Sequence, residues 1–124
     1  MDYLIDTHAM IWAGAGYRQL SPAAAEAIVD PTNRLLVSAV SAWEFEDLHR
    51  RGRLAGSVAL DAILDALSLV LVDLPAHVWR VARRLPNLHG DPVDRMLIAH
   101  AIHADLTLIT ADKMIRRYPV RTLW

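Results

Sequence analysis

The chain has no cysteine among its 124 residues, which excludes disulfides, thiolate metal sites and a cysteine nucleophile. Any metal must then be held by oxygen or imidazole, and the lack of thiols is compatible with a reducing compartment. The opening segment MDYLIDTHAMIW lacks the basic stretch, long apolar run and small-residue cleavage site of a secretory signal. A cytoplasmic location is therefore the expectation. No apolar run approaches the roughly 20 residues needed to span a bilayer. The longest, Leu67 to Val72 with Ser68 interrupting it, reads as a buried strand. Excess positive charge is also absent. A formal net charge of -1 gives no global attraction for nucleic acid, so any RNA contact must come from local basic groups or from metal.

What is present is a globular composition, 54% hydrophobic and 22% charged, with no repeat, low-complexity segment or linker. The length suits one domain spanning residues 1–124. Tyr3 to Ile5 read as a strand, followed by the polar turn Asp6-Thr7-His8 and a helix. Ser21 caps a second helix with Pro22 at its first position, where a missing N–H costs nothing. A strand over Leu35 to Ser38 precedes a helix from Val40 to about Arg51, stopped by Gly52. Ser57 is placed as the cap of a helix carrying Val58, Leu60, Ile63, Leu64 and Leu67 at three-to-four-residue spacing. A strand over Leu69 to Val72, a helix from Pro75 to about Leu85 and one from Asp91-Pro92 to about Ala104 follow. Leu106 to Thr110 form a fourth strand, Ala111 to Arg117 a short helix and Val120 to Leu123 a fifth strand. This alternation predicts a three-layer α/β/α sandwich with a mainly parallel sheet of four or five strands.

Ligands of such sheets bind beyond the carboxyl ends of the strands. Inspection of those positions leaves mostly acids: Asp6 after the first strand, Glu44 early in the helix after the second, Asp94 in the first turn of a later helix, and Asp112 after the fourth strand. Two carboxylates about 4 Å apart repel by roughly 4 kcal/mol at an effective dielectric near 20. A divalent cation removes that conflict, and all-oxygen ligation favours Mg²⁺ or Mn²⁺ over zinc. Such an ion can acidify a water and neutralise a phosphate.

The segments LIDTHAMIW, SAVSAWEFEDLHRRGRL, HGDPVDRMLIAHAI and LTLITADKMI resemble, in that order, the four acidic motifs of PIN-domain ribonucleases. The similarity is greatest to the VapC-type toxins of bacterial toxin–antitoxin pairs. This resemblance implies a metal-dependent ribonuclease with Asp6, Glu44, Asp94 and Asp112 holding Mg²⁺ or Mn²⁺. It also implies an RNA substrate, a cognate antitoxin protein that silences the enzyme near the cleft, and a homodimer. One departure stands out: relatives often carry a lysine four residues after the glutamate, where this chain has Leu48 preceded by Glu46 and Asp47.

Neighbouring residues have structural readings that compete with functional ones. Asp91 reads as the cap of the helix that Asp94 enters. Thr7 is a candidate donor to a site carboxylate, and Arg95 a candidate partner for a carboxylate or a phosphate oxygen. His8, His100 and His103 offer imidazoles, but the last two lie six and nine residues beyond Asp94, and the three read as structural. His89 sits in a loop with a better reach to substrate, although loop histidines are usually just solvated. Trp12, Trp43 and Trp79 read as core-filling. The groups His49-Arg50-Arg51-Gly52-Arg53, Arg80-Arg83-Arg84 and Arg116-Arg117 either hold phosphates or solvate helix ends, and solvation is the favoured reading for any single group.

Two other functions merit comparison. A phospho-signalling receiver domain also gathers acids at a parallel sheet, but it needs adjacent acids after the first strand and a late lysine. Here Asp6 is followed by Thr7 and His8, and Lys113 is the only lysine. A catalytically silent PIN-like binding module would have lost an acid, and this chain retains all four.

Overall fold

The computed structural model describes residues 1–16, 18–54, 58–88 and 90–124. Five parallel strands lie in the order β3-β2-β1-β4-β5: β1 (Asp2–Ile5), β2 (Arg34–Ser38), β3 (Val70–Val72), β4 (Thr107–Ile109) and β5 (Thr122–Leu123). Alternation of side chains along the strands sends Ile5, Leu35, Val37 and Ile109 to one face. Leu4, Leu36 and Leu108 go to the other. The first face is covered by α1 (Thr7–Gly14), α2 (Pro22–Val29) and α4 (Leu60–Ala66), with Phe45 of α3 (Ala39–Arg50). The second is covered by α6 (Pro92–His103) and α5 (Val78–Ala82). The sheet is thus a sandwich filling, and its order reverses at β1, which pairs β2 on one side and β4 on the other. That reversal opens a crevice at the carboxyl ends of β1 and β4.

Helices with local stop and start signals begin where the sequence places them. Ser21 accepts from Ala24 N at 3.1 Å with Pro22 at the first position of α2. Asp91 accepts from Val93 N at 2.9 Å at the start of α6. Elements shaped by distant contacts differ from expectation. The helix expected from Pro75 to about Leu85 shrinks to the five residues of α5, because no side chain caps it and its carbonyls find a partner outside the helix. Arg95 donates to the carbonyls of Ala82 at 3.0 Å and Pro86 at 2.9 Å. The expected Ala111–Arg117 helix is only a 3-10 turn, Ile115–Arg117. Asp112 Oδ1 accepts from Met114 N at 2.8 Å and holds the chain in an Asx turn before it. The helix bearing the Ile63 stripe starts at Leu60, with Ala59 rather than a hydroxyl residue at its cap position; Ser57 lies outside the described residues.

The strand expected to be buried is instead a sheet edge. In β3, Val70 and Leu71 are 42% and 51% exposed, since β2 covers only one side and no strand covers the other. Two of the tryptophans also depart from the core: Trp43 is 59% exposed and Trp79 48%, whereas Trp12 packs against the first core cluster. Among the described residues, no helix is long and apolar enough to cross a membrane.

Candidate metal centre in an acidic cleft

A cleft of about 300 Å³ lies at the crevice and is lined by Asp6, Glu44, Asp91, Asp94 and Asp112, together with Thr7, His8, Trp12 and Leu97. Four separate stretches of chain supply its acids. Asp6 is the residue at which β1 gives way to α1, and its backbone N donates to Ile109 O at 3.0 Å, which locks it beside the end of β4. Its Oδ1 accepts from Ala9 N at 2.8 Å, so it caps α1 and lines the cleft at once. Glu44 is placed by α3, where its neighbour Phe45 is anchored in the core and Trp43 turns to solvent.

The start of α3 is tied down by Ser38, whose Oγ accepts from Val40 N at 3.2 Å. Ser38 Oγ also lies 2.8 Å from Nδ1 of His100 on α6. That buried contact fixes the two acid-bearing helices relative to each other and gives His100 the structural role expected of it. His103 is exposed at the far end of α6. His8, also exposed, forms part of the cleft wall. His89 lies outside the described residues.

Carboxylate oxygens of Glu44, Asp91 and Asp94 lie within 4.8 Å of one another. At that spacing each ionised pair repels by roughly 3 kcal/mol at an effective dielectric near 20. The arrangement therefore suits a hard divalent cation, and the donors around it are oxygens, as Mg²⁺ and Mn²⁺ prefer. Asp6 is 9% exposed. Burial pushes its carboxyl above the usual carboxylate value; hydrogen bonds from the Thr110 hydroxyl and Ala9 N, and the charge of His8, work against that rise, while Glu44 adds to it. Asp112 is positioned by the loop after β4: its N donates to Thr110 Oγ1 at 3.1 Å, and its Oδ1 is engaged by the Asx turn.

The structure thus gathers Asp6, Glu44, Asp94 and Asp112 into one cleft and gives two further residues a part that the sequence reading did not, Asp91 on the lining and Thr110 buried behind it. Asp91 caps α6 as expected, yet also joins the acid cluster. The spacing Asp-x-x-Asp at a helix start is the signal, since both side chains then occupy the first turn. Thr110 is the other: a hydroxyl at the end of a central strand that accepts from Asp112 N and lowers the pKa of the Asp6 carboxyl.

Two secondary expectations need correction. The hydroxyl that serves Asp6 is that of Thr110, because β4 runs alongside β1 and delivers it there. The Oγ1 of Thr7 is buried and has no hydrogen-bond partner among the described residues. Among the described residues Arg95 makes no ion pair with an acid, and it is not part of the cleft lining. Its guanidinium is committed to the carbonyls of Ala82 and Pro86 and stands 3.4 Å from Tyr118 Oη.

Residues 3–120 match the family described as PIN domain. The chain belongs to the PIN-domain family. Among curated relatives, Ribonuclease VapC22 of Mycobacterium tuberculosis is 32% identical, the alignment covering 98% of this chain and 97% of that protein. Among solved structures, VapBC2 of Rickettsia felis, crystallised with a DNA fragment from its promoter, superposes with a TM-score of 0.73 at 17% identity, covering 99% of this chain and 98% of its own. VapBC-1 of nontypeable Haemophilus influenzae gives a TM-score of 0.55 at 15% identity, covering 99% and 97%. These two likenesses are of fold. In this PIN domain the family's α/β sheet supplies the reversal at β1 on which the cleft is built.

Proposed function

We propose that this PIN-domain protein is a metal-dependent ribonuclease, the toxin of a toxin–antitoxin pair, acting as one nuclease domain over residues 1–124. The observation that carries the reading is the convergence of five carboxylates from four chain segments in one cleft at the carboxyl ends of parallel strands. Its similarity along nearly the whole chain to a protein named a ribonuclease supports it. Asp6, Glu44, Asp94 and Asp112 are the ligands proposed for Mg²⁺ or Mn²⁺, with Asp91 beside them. A cation held there supplies the acidity that activates water and the charge that neutralises a scissile phosphate.

The chain's own groups prepare the site. Ala9 N and Thr110 hold Asp6, and Met114 N holds Asp112, so ordering these acids costs little when substrate arrives. Trp12 and Leu97 give the cleft apolar wall, which limits the water that competes for the phosphate. On the same reading the protein works in the cytoplasm, forms a homodimer and is silenced by a small cognate antitoxin protein.

Purified protein incubated with structured RNAs and Mn²⁺ or Mg²⁺ should cleave them, and EDTA or Asp94→Asn should abolish cleavage. Equal cleavage in EDTA would defeat the mechanism. Expression of the wild type should arrest growth and that of Asp94→Asn should not; wild-type expression without effect on growth would remove the toxin role.

A further inference from the structure

The proposed reaction brings a polyanion to a cleft lined by five carboxylates, in a chain of formal net charge -1. Affinity for the phosphodiester backbone must then come from cations outside the cleft. Several arginines are already spent within the fold: Arg34 pairs with Asp2, Arg50 and Arg51 with Asp47, and Arg121 with Asp105. Arg95 is spent on backbone carbonyls. On α5 the arrangement differs. The guanidinium carbons of Arg80 and Arg83 lie 5.3 and 5.4 Å from the Trp79 ring centroid. That indole remains 48% exposed. Among the described residues, no carboxylate lies within ion-pair distance of Arg80, Arg83 or Arg84. An exposed indole with two unneutralised guanidiniums close to its ring offers a stacking surface and phosphate ligands side by side, which are the two elements that single-stranded nucleic acid requires.

The position of the patch ties it to the cleft. Arg95 directly follows Asp94, and its guanidinium gathers the carbonyls of Ala82 and Pro86 together with the Tyr118 hydroxyl. The stretch carrying Arg83 and Arg84 and the turn carrying Arg116 and Arg117 therefore meet at one side chain, and Ile115 of that turn lines the cleft. That turn follows Asp112 in the chain.

We propose that Trp79, Arg80, Arg83 and Arg84 form a docking surface for single-stranded RNA, which Arg116 and Arg117 continue toward the acidic cleft. The indole stacks a base and the guanidiniums take phosphates on either side of it. The inference rests on the ribonuclease reading, and its test separates the two.

Binding of a labelled single-stranded RNA is measured by fluorescence anisotropy over a range of salt, in an Asp94→Asn background so that no cleavage intervenes. Replacing both Arg83 and Arg84 by Ala should reduce the slope of log affinity against log salt by about 1.4, at about 0.7 for each phosphate no longer neutralised. Trp79→Ala should weaken binding by roughly fivefold to a hundredfold, and Trp79→Phe should restore most of it. Arg121→Ala, which removes a cation paired elsewhere, should change neither. In the active protein the α5 variants should raise KM for a long RNA, while KM for a dinucleotide, too short to reach α5, should stay constant. Thermal melts matching the parent exclude misfolding as the cause. Wild-type affinity and slope in folded α5 variants would overturn the docking surface and leave the ribonuclease reading standing. Trp79→Ala turning a dimer into a monomer with the slope unchanged would assign the patch to contacts between copies and overturn it too. Absence of RNA binding and of cleavage by the parent protein would overturn both.

Discussion

Asp6 serves two demands that conflict. As the cap of α1 it needs only an acceptor oxygen, which an amide supplies equally well. As a buried acid beside Glu44 it bears a charge that burial opposes. Its carboxyl ionises at higher pH in the folded chain than the 3.8 expected of an unfolded one. The unfolded state therefore gives up its proton first, and metal-free stability falls as pH rises from below 3.8 to the folded value. Asp6→Asn removes this term while keeping the cap. The metal-free variant should be more stable than the wild type at pH 7 and no more stable at pH 3. Urea melts in EDTA at the two pH values measure it; an equal or lower stability at pH 7 would show that the charge is fully compensated. The same variant should lose RNA cleavage, so stability and activity move in opposite directions.

His100 titrates with the opposite sign. Burial, with help from His103, lowers its pKa below 6.5, so the folded state prefers the neutral ring that contacts Ser38. Unfolded chains bind the proton first as pH drops, and stability is lost as pH falls below 6.5 toward the folded value. His100→Gln keeps a polar partner for Ser38 and does not titrate. Between pH 7 and pH 5 the melting temperature of the wild type should therefore fall further than that of the variant. Parallel curves would remove His100 from the acid sensitivity.

At the level of elements, the chain's own signals account for α2 and α6, whose caps and prolines lie within a few residues of the bonds they make. They do not account for α5 or β3. An apolar run such as Leu69 to Val72 cannot say whether a strand will have neighbours on both sides, since that depends on where the other strands go. Likewise, apolar spacing from Pro75 to Leu85 permits a long helix, but a guanidinium nine residues beyond Pro86 in sequence takes the carbonyls at its end. That dependence is testable. Arg95→Met keeps the bulk of the side chain and removes the donors, leaving the part-buried carbonyl of Ala82 and the exposed one of Pro86 without this partner. The expected loss is about 1–3 kcal/mol, with faster amide exchange across Val78–Pro86 and no change in exchange across α2. Uniform acceleration over the whole chain would instead mean that α5 unfolds only with the rest.

For the whole molecule, the acid set was legible because parallel α/β chains put chemistry at strand ends, and Asp6 directly follows β1 while Asp112 lies in the loop that follows β4. Asp91 was harder to read because a cap fully explains an aspartate at that position, and only the sheet reversal at β1 shows that the start of α6 reaches the same crevice. The assembled cleft has a global energetic consequence. Its acids are far apart in an unfolded chain, so their mutual repulsion is a cost of the folded state, and a cation that binds the assembled cluster favours folding by mass action. At a free Mn²⁺ concentration of about 100 times its Kd this linkage gives about 2.7 kcal/mol. For a domain of this size that corresponds to a rise of roughly 10 °C in melting temperature. Glu44→Gln should raise the metal-free melting temperature, by relieving repulsion from Asp91 and Asp94, and shrink the rise that Mn²⁺ produces. The metal effect should fade as pH falls to about 4, where carboxylates take up protons and stop serving as ligands. Calorimetric scans of the wild type and Glu44→Gln, with and without Mn²⁺ at neutral and acid pH, measure all of these terms. A Mn²⁺ response that is the same in both proteins would place the ion outside the cleft.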